Sequence, residues 1–227
     1  MASISIVIPV LDEAAVLPAC LLTLQPLRRQ DCELIVVDGG STDATVTIAR
    51  PLADQVLATQ KGRAVQMNAG AQAARGDILW FLHGDSLPPP DAAALIRSAL
   101  AGSDRCWGRF DVQLSGTRPL LRVVETLMNH RSCLSGIATG DQGIFVRRAV
   151  FVQVGGYPAI PLMEDIALSR ILKRLGRPVC LHRRLLSSSR RWEQRGIWRT
   201  IFLMWRLRLA YFLNADPARL ARIYYGG

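Results

Sequence analysis

The chain has 227 residues, half of them apolar, and a formal net charge of +10. That length fits one large domain, or a core with an appended C-terminal element, and the apolar share is enough for a substantial buried core. The five cysteines (Cys20, Cys32, Cys106, Cys133, Cys180) are scattered, odd in number and without a CxxC pair. They indicate neither a zinc site nor a disulfide framework, and they predict a reducing, cytoplasmic setting. The first residues enter an apolar run by Ser3 with no basic region or cleavage site, so no signal peptide is expected.

The charge is unevenly placed. Residues 1–50 carry six acids against Arg28, Arg29 and Arg50, whereas residues 183–208 carry eight arginines and one acid, Glu193. The basic end implies an anionic partner (phosphate, nucleic acid or an acidic membrane surface), with a solvated arginine-rich face as the plain alternative.

In chain order, the first hundred residues predict β-α-β-α-β-α-β-α. Strands are expected at 3–10, 33–37, 55–58 and 78–82, and helices at 15–24, 43–50, 63–74 and 91–100. The strand runs lack polar alternation, as parallel strands covered on both faces do. Ser41 or Thr42 is placed to cap the second helix, and Gly76 to end the third. Further on, 107–114 alternates like a strand, 120–128 reads as a helix and 143–146 as a short strand. Residues 164–175 form a strongly amphipathic helix, with Ile166, Leu168, Ile171, Leu172 and Leu175 on one face. The apolar run 197–213 is interrupted by Arg199, Arg206 and Arg208, so an interfacial or buried helix is expected rather than a spanning one. Ile197, Trp198, Ile201, Phe202, Trp205, Leu209 and Phe212 fall mostly on one of its faces. That face suits weak peripheral contact with an anionic membrane on its cytoplasmic side, or packing onto the sheet or a partner subunit.

Three apolar runs end in acid and turn residues: Leu11-Asp12-Glu13, Asp38-Gly39-Gly40-Ser41-Thr42-Asp43 and His83-Gly84-Asp85-Ser86. Ligands of open α/β sheets bind at the carboxyl ends of the strands, so these ends predict one cleft for a polar ligand and a cation. His83 and Asp85 read either as holders of a divalent cation, Asp85 as the oxygen ligand that Mg²⁺ prefers and His83 as one that suits Mn²⁺ or hydrogen-bonds a phosphate, or as a capped loop before the Pro88 turn. Lys61-Gly62-Arg63 opens a helix whose N-terminus with adjacent cations is an anion site or simply a basic helix entry. Glu164-Asp165 opens another, either to favour the helix dipole or to aim a general base into the cleft. Arg190-Arg191-Trp192 reads as a diphosphate clamp or as a basic loop with its tryptophan on the core.

Taken in order, these strings, with Ile8-Pro9-Val10, the helix bearing Asn68 and Gly70, Gly155-Gly156-Tyr157, Glu164-Asp165 and Arg191-Trp192, resemble the family 2 glycosyltransferases over residues 3 to about 192. The His-Gly-Asp turn and Gly140-Asp141-Gln142-Gly143 resemble a compact subgroup labelled selenodomain-associated or arsenosugar-type. The resemblance implies the GT-A nucleotide-diphospho-sugar transferase fold, a Rossmann-like α/β layout with a mostly parallel central sheet flanked by helices. The transferase domain would span 1–192, its nucleotide-binding half 1–100 and its acceptor half 101–192, with 193–227 a helical extension.

Implied with it are a nucleotide-diphosphate sugar donor, an acceptor hydroxyl, Mg²⁺ or Mn²⁺, and inversion at the anomeric carbon. Pro9, Glu13, Asp38, Lys61, Arg63, Asn68 and Asp85 would serve the donor, Asp85 and His83 the metal, and Asp165 would be the base. Asp141, Gln142, Glu164, Arg191 and Trp192 would meet the acceptor or diphosphate. The chain departs from the family at Gly39, where a second acid is usual, at His83, which replaces an acid, and at Ser188, which argues against a polymerising synthase. A nucleotidyltransferase and a donor-binding protein with degenerate catalysis are the alternatives. Nucleic acid is not expected as a partner, because it leaves the acidic strand ends unexplained.

Overall fold

A computed structural model describes residues 1–102 and 104–226, without the side chain of Arg191. Its centre is a seven-stranded sheet in the order β3-β2-β1-β4-β6-β5-β7. The strands are β1 (Ile4–Val10), β2 (Cys32–Asp38), β3 (Gln55–Ala58), β4 (Ile78–Phe81), β5 (Trp107–Leu114), β6 (Phe145–Arg147) and β7 (Val179–Ser187). The β1–β2, β1–β4, β2–β3 and β5–β7 pairings are parallel, and β6 runs antiparallel to β4 and β5.

The first half follows its apolar pattern. Every residue of β1 and β4 is buried, because helices cover both faces of the parallel part. Ile4, Ile6, Ile8 and Val10 pack on α1 (Leu17–Arg28) through Leu17, Leu21 and Leu24, while Val7 faces Met67 and Ala71 of α3 (Arg63–Ala73). This is the two-residue period of a strand with cores on both sides. At Gly70 α3 lies so close to the sheet that a Cβ would collide with Val7. Between them, α2 (Thr45–Ala49) and α4 (Ala92–Leu100) complete the expected alternation.

Local capping differs from expectation. α2 begins at Thr45 behind Ala44, which makes no side-chain cap; the Thr45 N–H donates to Asp43 Oδ1 at 2.9 Å, while Ser41 is engaged with Asp38 and Thr42 with Asp12. Gly76 does not cap α3, which ends at Ala73; a Cβ on Gly76 would stand 2.6 Å from the Ser5 nitrogen, so its role is close approach to β1.

The second half departs further. The helix expected at 120–128 is α5 (Pro119–Ser135), ended by Gly136 at φ 68°. The short strand at 143–146 is shifted to β6. α6 (Arg148–Gln153) and β7 have no strong pattern in the sequence; β7 is an edge strand whose centre, His182-Arg183-Arg184, is exposed, so it lacks the apolar run of a central strand. α7 (Glu164–Leu175) has the expected bounds and buries Ile166, Leu168 and Leu172, but Leu175, in its last turn, is exposed. Cys133 of α5 and Cys180 of β7 form a disulfide, with Cα atoms 6.0 Å apart. This corrects the expectation of no disulfide and removes the ground on which scattered cysteines pointed to a reducing compartment. The two lie 47 residues apart and meet only because β7 returns beside β5 beneath α5.

The chain ends in α8 (Arg190–Arg195), α9 (Ile197–Phe212) and α10 (Pro217–Tyr225). Ile197 packs with Val112, Leu114 and Leu121, and Leu207 with Ile137, Met163, Ile166 and Tyr224. The outer face of α9 stays in solvent, with Trp198, Phe202, Trp205 and Leu209 each 63% exposed. Among the described residues, no helix is long and apolar enough to cross a membrane.

Candidate active site

The acidic ends of β1, β2 and β4 lie together at one edge of the sheet, and the first two are bound into a single unit. Asp12 takes a left-handed conformation at φ 52°, which aspartate tolerates better than most residues. Its Oδ1 accepts the Thr42 N–H at 2.8 Å, its own N–H donates to Ser41 Oγ at 2.9 Å, and the Glu13 N–H donates to Thr45 Oγ1 at 2.8 Å. Asp38 turns back on its own loop, where Oδ2 accepts the N–H groups of Gly40 and Ser41, both at 3.0 Å. Gln66 of α3 donates to the carbonyls of Val10 and Val37, each at 2.8 Å, and so ties the ends of β1 and β2 together. A Cβ at Gly39 would stand 3.1 Å from this side chain, which accounts for a small residue in that place.

Beside this edge opens a cleft of about 860 Å³, within the range of small-molecule sites. The β1 end contributes Pro9 and Glu13, α3 contributes Arg63, and the turn after β4 contributes His83, Gly84 and Asp85. The 3₁₀ turn Gly140–Gln142 contributes Asp141, α7 contributes Glu164 and Asp165, and α8 contributes Arg190 and Trp192. Gln142 locks that turn, its Oε1 accepting the Thr139 N–H at 3.1 Å. Arg190 reaches back to Glu13, Nη2 to Oε2 at 3.3 Å.

The acids of the cleft sit in unequal environments. Asp165 is held by two backbone groups, Oδ2 accepting the Gly140 N–H at 2.9 Å and Oδ1 the Ile166 N–H at 2.7 Å. Burial, then the charge of Asp165, pushes Glu164 up to about 7, against a smaller opposing pull from Arg63. Burial and the neighbouring Asp85 raise Glu13, with Arg190 pulling the other way. Burial raises Asp141, whose Oδ1 is out of solvent without a hydrogen bond. Burial and the neighbouring Arg208 bring Arg131 down to about 10. Crowded carboxyls of unlike proton affinity are what acid–base work and cation binding use.

Of the residues expected in the site, Pro9, Glu13, Arg63, His83, Asp85, Asp141, Glu164, Asp165 and Trp192 line the cleft. Asp38, Lys61, Asn68 and Gln142 do not. Lys61 is exposed. Asn68 is turned to the backbone of Tyr157, donating to its carbonyl at 2.8 Å and accepting its N–H at 2.9 Å, so it braces the Gly155-Gly156-Tyr157 loop. The side chain of Arg191 lies outside the described residues. Sequence reasoning singled out neither Arg131 nor Gln66 as a site residue, and Arg208 only as one of a basic run. No local motif marks them. Among the described residues, no group of three or more His, Cys, Asp or Glu side chains is arranged to hold a metal ion. His83 and Asp85 alone fit a cation that takes most of its ligands from substrate phosphates.

A family model for glycosyl transferase family 2 matches residues 5–147, which include the three acidic strand ends. The chain belongs to this family. Among its curated relatives is the "PGL/p-HBAD biosynthesis glycosyltransferase" of Mycobacterium bovis, 34% identical over 166 residues, covering 67% of this chain and 62% of the relative. The chain thus spans somewhat less than two thirds of that relative's length.

Among solved structures, the mannosyltransferase PcManGT from Pyrobaculum calidifontis, in complex with GDP-Man and Mn²⁺, matches with a TM-score of 0.67 at 21% identity, over 92% of this chain and 61% of that one. The glucosyl-3-phosphoglycerate synthase of Mycobacterium tuberculosis, in complex with Mg²⁺ and UDP, matches with a TM-score of 0.61 at 22% identity, over 82% and 70%. These likenesses establish the fold, a GT-A glycosyltransferase fold.

Proposed function

We propose that the chain transfers a sugar from a nucleotide-diphosphate sugar to an acceptor hydroxyl, with inversion and with Asp165 as general base. The observation that carries this reading is the placement of Asp165 in the same cleft as the His83–Asp85 turn, its carboxylate oriented by the N–H groups of Gly140 and Ile166. The solved relatives named above, with GDP-Man and Mn²⁺ in one and UDP and Mg²⁺ in the other, favour a nucleotide sugar and a divalent cation.

In the reaction, Asp165 takes the proton of the acceptor hydroxyl as its oxygen bonds to the anomeric carbon. The bond from that carbon to the diphosphate oxygen breaks on the opposite face, and its electron pair leaves with the nucleoside diphosphate. Arg63 and Arg190 line the cleft on the Glu13 side and stabilise the growing charge, often the largest catalytic contribution. Asp85, with His83, would hold the divalent cation, which supplies further charge neutralisation when bound. Burial raises the proton affinity of Glu164, so a fraction of this carboxyl holds a proton near neutral pH.

We also propose weak peripheral contact between α9 and an anionic membrane surface. In support, the outer face carries exposed Trp198, Phe202 and Trp205 flanked by exposed Arg199 and Arg206.

The test of the transfer reading is turnover of a nucleotide-sugar panel with Mn²⁺ or Mg²⁺, by hydrolysis and by transfer. Asp165→Asn keeps the shape and removes the base, so turnover should fall by ~10² or more while nucleotide binding stays near normal. Near-native turnover in that variant would refute Asp165 as base. Nucleotide-sugar binding without any turnover in the unaltered chain would leave a donor-binding protein.

A further inference from the structure

Two arginines of the cleft lining take no part in the proposed transfer. Arg131 projects from α5 and Arg208 from α9, and both line the cleft with Asp141. They lie close enough to repel each other. Nη2 of Arg131 and Nε of Arg208 are shielded from solvent and have no hydrogen-bond partner. Neither guanidinium makes an ion pair with a carboxylate among the described residues, although the charges of Asp141 and Asp165 are near enough to be felt.

A buried guanidinium donor without a partner is costly, and two side by side more so. The planar fork of arginine matches the oxygens of an oxyanion, and phosphate, with a charge near −2, suits a pair of forks.

The position separates this pair from the donor side. Glu13 responds to Asp85, Arg190 and Arg63, whereas Arg131 responds to Arg208, Asp141 and Asp165. Asp165 is within reach of the Arg131 charge and is tied to Gly140, which abuts His83, so the proposed base neighbours both the turn after β4 and the arginine pair. The same lining includes apolar side chains, Val124, Leu127 and Met128 of α5 and Ile201, Met204 and Trp205 of α9.

We infer that Arg131 and Arg208 form an oxyanion subsite that receives a phosphate group carried by the acceptor. The inference rests on the sugar-transfer reading and adds the chemical class of its acceptor. The phosphate comes either from a lipid headgroup, whose chain would follow the apolar lining, or from a soluble phosphorylated molecule.

Calorimetry on the full chain, with Mg²⁺ and saturating UDP or GDP on the donor side, tests it with three probes: inorganic phosphate, decyl phosphate and decyl maltoside. Phosphate binding should weaken at least tenfold in Arg131→Gln/Arg208→Gln, and binding of decyl maltoside should not change. Binding of decyl phosphate alone would support a lipid phosphate; comparable binding of inorganic phosphate would support a soluble acceptor. Should the double variant fail to fold, Arg131→Lys keeps the charge, loses the fork and should still weaken the phosphates severalfold.

Undiminished binding in the variants of whichever phosphate binds, or binding of neither phosphate by the unaltered chain, would overturn the subsite. In that case nucleotide binding in the same titration would leave the donor reading standing. Absence of nucleotide binding by the unaltered chain would overturn that reading, and the acceptor assignment with it.

Discussion

Gly140 donates its N–H to Asp165 Oδ2 at 2.9 Å, and a Cβ in its place would stand 2.6 Å from His83 Nε2. One small residue thus spaces the proposed base from the turn proposed to hold the cation. Gly140→Ala should push the imbrication of ring and turn apart without touching either sheet or core. Metal-stimulated turnover should fall by about 10- to 100-fold, since small displacements at a reacting centre are expensive. The melting temperature should move by no more than about 2–4 °C, corresponding to about 1 kcal/mol in a chain of this size. An alanine variant with native turnover would show that the spacing is not critical.

Asp85 and His83 make a graded pair. Asp85→Ala should weaken Mn²⁺-dependent nucleoside diphosphate binding by ~10² or more, because it removes the proposed oxygen ligand and leaves an imidazole. His83→Ala should lower affinity less and shift the preference from Mn²⁺ toward Mg²⁺. Calorimetry with each metal decides it, and equal nucleotide affinity in Asp85→Ala and the unaltered chain would remove Asp85 from the metal site.

Glu164 makes stability depend on pH in a definite direction. Its folded pKa lies near 7 against an ordinary 4.5, raised first by burial and then by Asp165. Between those values the folded chain holds more protons than the unfolded one, so this group's contribution falls as pH rises from about 4.5 to about 7 and is constant above that. Glu164→Gln abolishes the titration. Relative to the unaltered chain, the variant should gain stability over this window, by at most about 3 kcal/mol. Denaturant melts at pH 5 and pH 8, without metal or nucleotide, measure it; a difference that stays constant or narrows toward pH 8 contradicts the assignment.

The exposed face of α9 predicts binding to vesicles that contain anionic lipid. Flotation should be strong at ~0.1 M salt and mostly lost at ~0.5 M, where screening shortens the reach of the arginines. Changing Trp198, Phe202 and Trp205 to Ser should reduce it further without unfolding the chain, because all three are 63% exposed. A chain that never floats, and whose three side chains prove protected in solution, has no membrane face there.

What the sequence determined by itself is the part that repeats along short stretches. β4 is apolar throughout and β1 is apolar apart from Ser5, and only parallel strands covered on both faces bury every residue in turn. The helical period of Glu164–Leu175 sets one face of α7 into the core, and the acid-and-turn endings place polar side chains at the carboxyl edge. These are local consequences of backbone geometry and burial.

The tertiary structure alone decided which distant groups face one another. Asn68 sits on the expected helix, yet its amide is taken by Tyr157, 89 residues away, rather than by the cleft. Asp165 is oriented by Gly140, Cys133 finds Cys180, and Arg131 meets Arg208 only because α5 and α9 converge on one cavity. No periodicity encodes such meetings. They depend on the return of β7 beside β5 and on the packing of the last helices, where the free energy lies in contacts between residues far apart in the chain.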